Sequence, residues 1–411
     1  MQNTYTKKNI FYNMSFTKLG IPLKVGIVAN EFFDTSIGRV GGFGWAAKRA
    51  AQVLSNHPES YCDVCFLTAD KIGNGSEKKV SQDIPYVPLN GNRLQNFSKM
   101  FFSRIDILLT IDYRISYRGV FNALPFTPIV VWVRDPWSPQ DVDKIMSLKI
   151  PGKEDVKPAG IYEKNTQQLS EYANRKFPKP PKVKLANKMP YMRESNEAVY
   201  GLPESEYVLP NPSVLDYTYV EIEKARKPTV IFLGRLDPIK RPWVFIELAR
   251  KFPNVNFLML GQNHFNGNNG WSLGEVPENV KMLGHVTGEE KLKLLSSAWV
   301  LVNTSIHEEA PVSVLEAFAL ETPVLSYEDW GGLVERYGIT IGQHKGTGLE
   351  GLLDLEEALN RLLSNDELRR KYGKEARYYV ETEHNNEIFL SSFRRICLDS
   401  GVEKASKCIS V

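Results

Sequence analysis

The sequence has little cysteine, no long apolar run and no excess of either charge. Four cysteines in 411 residues exclude a disulfide-stapled scaffold. No run of about 18 or more apolar residues occurs, so nothing predicts a membrane-spanning helix. Fifty-one basic against forty-eight acidic residues leave a net charge of +3, which is too balanced to predict nucleic-acid binding.

The N-terminus also lacks the apolar stretch of a secretion signal. Residues 1–20 are polar and are predicted to form a flexible leader. Cys62 and Cys65 lie three apart in a predicted strand. They would face opposite sides of it, which suits two core thiols better than a metal site. Low cysteine use and the missing signal together predict a cytoplasmic protein.

Short apolar runs alternate twice along the chain with segments of helical spacing. Continuous apolar runs are typical of parallel strands covered by helices on both faces. The predicted fold is α/β, with two doubly wound, Rossmann-like domains facing a cleft. The domains are expected at 21–215 and 226–385, and a helix and tail follow at 386–411. The linker between the domains is expected within 206–217 and the charged stretch 221–228. The predicted strands lie within residues 23–30, 61–69, 105–111, 128–136, 229–235, 256–262, 280–286, 299–305 and 322–328.

Residues 149–184 break this alternation and are rich in lysine, arginine and proline. The plainer interpretation is a solvated insertion. The alternative is a basic flap that meets an anionic acceptor or touches a membrane surface peripherally.

Glycines follow the first predicted strand, and Gly41 and Gly42 directly precede a long helix pattern. Glycine lets backbone N–H groups approach a phosphate, and a helix N-terminus favours negative charge. The same glycines could equally serve only the geometry of the turn.

The first strand of the second half leads into a loop that carries Gly234, Arg235 and Lys240. An arginine and a lysine on one loop can flank a diphosphate, with charge-assisted bonds of about 1.5–3 kcal/mol each. The alternative is a pair of solvated loop cations.

Two acids follow the strand predicted within 299–305: Glu308 at its exit and Glu316 in the next helix, whose first turn suits Pro311. Ionised carboxylates only accept hydrogen bonds, so they are natural partners of a vicinal diol. Acids near a helix start also suit its dipole, but the pair combined with the Arg235–Lys240 loop favours a ligand site.

Taken in their order along the chain, the glycine, Arg–Lys and Glu–Glu motifs described above resemble those of the retaining glycosyltransferases of family 4. The resemblance is good over residues 206–380 and weaker over 21–205. It implies the GT-B fold and metal-independent transfer from a nucleotide sugar, with no cofactor. The motifs are Gly41-Gly42, Gly234-Arg235-x4-Lys240, Glu308-x7-Glu316, Leu209-Pro210-Asn211 and Thr322-Pro323-Val324.

The same resemblance implies roles for individual residues. Arg235 and Lys240, beside Gly234, would hold the donor diphosphate and stabilise its departing charge, with Gly41 and Gly42 approaching the phosphates. Glu316 would accept from the ribose, and Glu308 would contact the donor sugar. The base would lie on Gly284, His285 and Val286, and Val312 would line the donor site.

The sequence departs from the family pattern at two places. Glu309-Ala310-Pro311 replaces the usual Gly-Phe-Gly, and Arg134-Asp135 replaces the usual His-Asp. An always-charged arginine cannot act as a base, so Arg134 either holds an anionic group or makes a structural contact with Asp135. Asp112 and Arg114, after another strand, are further acceptor-side candidates.

We therefore expect a glycosyltransferase acting on a nucleotide sugar and on a sugar, lipid-linked or protein acceptor, in the synthesis of a glycan or glycoconjugate. One alternative is a nucleotide-sugar epimerase of the same fold. The other is a catalytically degenerate sensor of nucleotide sugars, which the altered Glu309-Ala310-Pro311 segment keeps open.

Overall fold

The structure is a computed structural model that describes residues 20–29, 41–68, 84–89, 93–153, 168–176, 181–215, 221–265 and 275–411. The predicted leader, all but its last residue, lies outside these residues. So do two parts of the basic segment, 154–167 and 177–180. Among the described residues, no helix has the length and apolar character needed to span a bilayer.

The chain divides into two compact units. The first comprises residues 1–136, 165–212 and 385–411, and the second comprises 137–164 and 213–384. This division assigns two segments differently from the expected domains. Residues 137–164 group with the second unit, and the C-terminal residues 385–411 group with the first.

The first unit contains a sheet of six parallel strands in the order β3-β2-β1-β4-β5-β6. Chain order 3-2-1-4-5-6 is the doubly wound arrangement. The strands are β1 (Leu23–Val28), β2 (Cys62–Thr68), β3 (Tyr86–Pro88), β4 (Ile107–Ile111), β5 (Ile129–Val133) and β6 (Val183–Asn187).

The second unit contains another sheet of six parallel strands, in the order β12-β11-β10-β7-β8-β9. If β7 is numbered 1 and the sheet is read from the β9 edge, the order is again 3-2-1-4-5-6, the doubly wound arrangement. The strands are β7 (Thr229–Leu233), β8 (Asn256–Leu260), β9 (Val280–Gly284), β10 (Val300–Asn303), β11 (Val324–Ser326) and β12 (Gly338–Thr340).

Helices connect the strands and end the chain. They are α1 (Gly42–Asn56), α2 (Arg93–Ser103), α3 (Arg118–Ala123), α4 (Pro139–Met146), α5 (Gln168–Ala173), α6 (Asn196–Tyr200), α7 (Pro242–Lys251), α8 (Gly288–Ser297), α9 (Val312–Ala319), α10 (Leu333–Tyr337), α11 (Leu352–Ser364), α12 (Asp366–Glu383), α13 (Asn386–Asp399) and α14 (Ala405–Cys408).

Burial of their residues on both faces explains why the central apolar segments form strands. Every residue of β4, β5 and β10 is buried, as expected for strands covered on both faces. In the first unit α1 packs alanines against the sheet, and α13 adds Phe389 and Phe393 to the same cluster. These features confirm the predicted α/β fold with two doubly wound sheets.

In each sheet, one pair of neighbouring strands marks the point where the strand order reverses. That pair is β1 and β4 in the first sheet and β7 and β10 in the second. Ligands of open α/β sheets bind beyond the carboxyl ends of strands at such a point. The loops that follow these four strands are therefore the first places to look for a site.

Candidate functional site

The loop after β7 carries two of the predicted donor residues. Asp237 caps a single 3₁₀ turn, Pro238–Lys240, and its side chain accepts a hydrogen bond from the backbone N–H of Lys240 (3.2 Å). Arg235 places its Nε 3.4 Å from Asp237 Oδ2 while 51% of its side chain remains exposed. Arg235 is thus exposed at the surface of this loop, whereas the Lys240 side chain is only 19% exposed.

Lys240 meets Glu308, which lies on the loop after β10. The Lys240 ammonium forms an ion pair with Glu308 Oε1, and both side chains are largely buried. Ser305 Oγ donates to the same carboxylate oxygen at 3.0 Å. Because β7 and β10 are neighbours in the sheet, two residues far apart in sequence come together at the point where the strand order reverses.

Arg241, next to Lys240, connects the same two loops. Its guanidinium donates to the carbonyls of Thr304 (2.8 Å), Ser305 (3.0 Å) and His344 (2.7 Å), and it lies over the ring of Tyr327. Burial lowers its pKa to about 10, although the nearby Tyr327 and acids oppose this. Arg241 is a buried structural residue that the sequence analysis did not single out.

Glu316 lies within α9 and is almost completely buried. Its Oε1 accepts a hydrogen bond from Lys291 Nζ of α8 at 2.6 Å. The carboxylate therefore has a cationic partner, and any ligand hydroxyl would share the carboxylate with Lys291. Val312 begins the same helix, and Pro311 occupies the preceding cap position rather than the first turn.

A glycine lies at the carboxyl end of each of the neighbouring strands β7, β8 and β9: Gly234 and Gly261 directly follow β7 and β8, and Gly284 is the last residue of β9. A Cβ on Gly261 would lie 1.8 Å from the carbonyl oxygen of Gly234, so only glycine fits at the end of β8. Gly284 has a φ of +67° and open space where a side chain would be. His285 follows it and is exposed. This edge leaves backbone accessible to a ligand, as the predicted base contacts require.

In the first unit, Gly41 is the N-cap residue of α1 and Gly42 is its first residue. Residues 30–40, which join them to β1, lie outside the described residues. The guanidinium of Arg114, after β4, lies 5.8 Å from the ring centre of Phe43. Two predicted groups, the glycines and Arg114, thus lie close together where the order of this sheet reverses.

Asp112 is held by the fold around it. It has a φ of +59° and is buried, and its Oδ1 accepts hydrogen bonds from Tyr200 Oη (2.5 Å) and from the backbone N–H of Tyr113 (2.9 Å). Asparagine and aspartate tolerate this left-handed conformation better than most residues. These contacts give Asp112 a structural role in the turn after β4.

Arg134, after β5, is buried and lies 4.3 Å from the ring centre of Trp132. Its Nη1 donates to Asn211 Oδ1 at 2.8 Å. Burial lowers the pKa of Arg134 to about 9, against the charges of Asp112 and Asp135. Its observed partners are therefore a ring and an amide, and its predicted contact with an anionic group stays a prediction.

One group in the second unit has the chemistry of a metal site. Ligand atoms of Asp141, His307 and Glu309 lie within 4.8 Å of one another. Lys144 Nζ, 3.6 Å from Asp141 Oδ1, competes with any cation for that carboxylate. Burial alone would raise the pKa of Asp141, but hydrogen bonds from His307 and Ser138 and the charge of Lys144 lower it to about 2.

The sequence carries one signal near this group, the Asp-x-Asp spacing of Asp141-Val142-Asp143. On α4 these two acids point to different faces, since residues two apart on a helix do not meet. Asp143 is indeed exposed. The pair therefore does not form one metal site. Asp141 acts with His307 and Lys144 instead.

Residues 220–379 match the protein family described as glycosyl transferases group 1. One curated relative is the glycosyltransferase 1 domain-containing protein 1 of Xenopus tropicalis. It is 26% identical over 168 residues, which are 40% of this chain and 47% of that protein. The match thus spans about half the length of that relative.

Solved structures share the fold over nearly the whole chain. A sucrose-phosphate synthase from Thermosynechococcus elongatus superimposes with a TM-score of 0.63 and 17% identity, covering 92% of this chain and 97% of that one. A glycosyltransferase from Rickettsia africae has a TM-score of 0.65 and 13% identity, covering 93% and 99%. At these identities the likeness establishes the fold alone.

The buried role of Arg241 predicts that Arg241→Lys destabilises the protein. One ammonium cannot reach three carbonyls set around a planar guanidinium, so we expect the free energy of unfolding to fall by about 2–4 kcal/mol in urea titrations. The matched variant is Arg235→Lys, whose side chain is half exposed. It should change stability by less than about 0.5 kcal/mol. Equal losses in both variants would contradict the distinction between them.

Proposed function

We propose that the protein is a retaining glycosyltransferase, because residues 220–379 match the family described as glycosyl transferases group 1. Its donor is a nucleoside diphosphate sugar. The acceptor is a sugar, a lipid-linked sugar or a protein, in the synthesis of a glycan or glycoconjugate. The low cysteine content suits a reducing compartment, and we propose the cytoplasm.

The observation that carries this proposal is the contact between Lys240 and Glu308 beyond β7 and β10. Without a ligand, each charge neutralises the other, which limits the cost of keeping both largely buried. When the donor binds, Lys240 and the exposed Arg235 hold the diphosphate, and Glu308 accepts from hydroxyls of the sugar. The donor thus replaces one ion pair with contacts to its diphosphate and to its sugar.

The chemistry follows from charge development on the leaving group. The bond between the anomeric carbon and the diphosphate oxygen breaks, and negative charge grows on the departing nucleoside diphosphate. Arg235 and Lys240, fixed before the reaction begins, stabilise that charge. The acceptor oxygen bonds to the anomeric carbon on the same face, and its proton passes to a departing phosphate oxygen. No enzyme nucleophile is required.

A panel of uridine, guanosine, adenosine and cytidine diphosphate sugars tests this function. A ligand that binds only the folded state raises the melting temperature by mass action, so the preferred donor should stand out. Incubation with that donor and candidate acceptors should then release nucleoside diphosphate. An epimerase would change the sugar without this release, and a sensor would bind the donor without consuming it. Either result would contradict the proposal.

Arg235→Ala should weaken binding of the nucleoside diphosphate that the panel selects. Loss of one charge-assisted hydrogen bond costs about 1.5–3 kcal/mol, which is about a tenfold to hundredfold higher Kd by isothermal titration calorimetry. Arg361→Ala, which removes an exposed arginine of α11, is the control and should leave Kd unchanged. Equal affinity in wild type and Arg235→Ala would remove this loop from the diphosphate site.

Glu316→Gln should weaken recognition of the ribose hydroxyls, because a neutral amide has one accepting oxygen where the carboxylate has two. We expect wild type to bind the ribonucleoside diphosphate about tenfold or more tightly than its 2′,3′-dideoxy analogue, because a carboxylate accepts strong hydrogen bonds from a diol. In the variant the two affinities should converge, while Glu290→Gln, an exposed acid of α8, should keep the preference. A preference that persists in Glu316→Gln would leave Glu316 only its pairing with Lys291.

A further inference from the structure

The segment 137–150 follows β5 of the first sheet along the chain but packs within the second unit. Leu148 and Ile150 are buried in the core of that unit. The ring of Trp137 meets the ring of His307 edge-on, with centres 5.9 Å apart. Because His307 directly precedes Glu308, this segment lies beside one of the residues proposed to contact the donor sugar.

A buried carboxylate joins α4 to the Glu308 loop. Glu328 Oε1 pairs with the ammonium of Lys144, and Glu328 Oε2 accepts from the backbone N–H of Glu308 at 2.7 Å. The Lys144 and Glu328 side chains are 7% and 5% exposed. Trp330 Nε1 also donates to the carbonyl of Glu308 at 3.0 Å. The backbone of Glu308 is therefore held from both sides.

The charge of Lys144 favours the ionised form of the Glu328 carboxylate, which accepts the hydrogen bond from the Glu308 backbone. Burial raises the pKa of Glu328, and the positive charges of His307 and Lys144 oppose that rise. An ionised carboxylate accepts a stronger hydrogen bond from an N–H than a neutral acid does. Removing the ammonium would leave a buried carboxylate without its ion pair, which destabilises the ionised form or forces the group to take up a proton.

Asp141 lies one helical turn before Lys144, and its Oδ1 is 3.6 Å from Lys144 Nζ and 3.4 Å from His307 Nδ1. A capping box at Ser138 fixes the start of α4, so these side chains project from a defined helix. The contacts run from α4 through Glu328 to Glu308 and from α4 through Asp141 to the neighbouring His307.

We propose that Lys144 is a positioning residue for the transfer reaction: through Glu328 it fixes the backbone at Glu308 and thereby the orientation of the Glu308 carboxylate toward the donor sugar. This inference rests on the proposed function. Lys144 itself does not hold the donor diphosphate, which lies with Arg235 and Lys240. Its loss should therefore lower turnover without an equal loss of nucleoside diphosphate affinity.

The test compares wild type, Lys144→Met and the double variant Lys144→Met/Glu328→Gln, with Lys371→Met as control because Lys371 is exposed on α12 of the same unit. A displaced carboxylate can cost about a hundredfold in rate, so in Lys144→Met we expect kcat to fall about tenfold to a hundredfold. The Kd of the nucleoside diphosphate selected by the panel should change less than about threefold. The control should behave as wild type.

A second readout does not depend on activity. Hydrogen–deuterium exchange of the backbone amides of residues 305–310 should become about fivefold or more faster in Lys144→Met, because the loop opens more often. In the double variant, kcat and the protection of these amides from exchange should both return most of the way to their wild-type values. A glutamine at 328 still accepts from the Glu308 N–H and, being neutral, needs no ammonium.

The outcomes separate this inference from the function on which it rests. Unchanged loop exchange in Lys144→Met, or a double variant as impaired as the single one, overturns the positioning role. A fall in nucleoside diphosphate affinity as large as the fall in kcat would instead mean that Lys144 contacts the donor. If wild type consumes no donor, the proposed function fails, and the exchange measurements alone still decide whether Lys144 holds the loop.

Discussion

The pairing of β7 with β10 is the constraint on which the site in the second unit depends. Parallel strands bring their carboxyl ends to one edge, so the loop of Lys240 and the loop of Glu308 must meet there. Arg241 then joins the loops through carbonyls of Thr304 and Ser305. A site of opposite charges thus follows from strand order, with left-handed backbone at Arg241 in one loop and at Ala310 in the other.

Three glutamates in this unit, two buried and one largely buried, are each paired with a lysine from another element. Glu308 pairs with Lys240, Glu316 with Lys291 and Glu328 with Lys144. Buried ion pairs contribute little net stability compared with apolar residues of similar size. Their accumulation beside one sheet edge is better explained by what they do for a ligand. Two of the pairs contain the residues proposed to contact the donor, and the third contains the lysine proposed to order the Glu308 loop.

The sequence predicted the central strands well because runs such as ILLTI in β4 and IVVWV in β5 are apolar throughout. It missed β3 and β12, which are three residues long, and β6, whose sequence VKLAN mixes polar and apolar residues. Among the site residues, Glu308 and Lys240 could be found because spacing from a strand end places them. Lys144 could not, because only long-range packing brings α4 to Glu328. Nor does the sequence distinguish the buried Arg241 from its neighbour Lys240, since both are loop cations.

The assignment of α13 to the first unit has a consequence for how the protein is made. Phe389 lies 5.6 Å from Trp132 of β5, ring centre to ring centre, and with Phe393 it completes the core around the first sheet. A ribosome therefore synthesises the whole second unit before the residues that close the first core have emerged. The first core can therefore be completed only after α13 has emerged, and a premature stop codon before residue 385 would leave Trp132 without that cover.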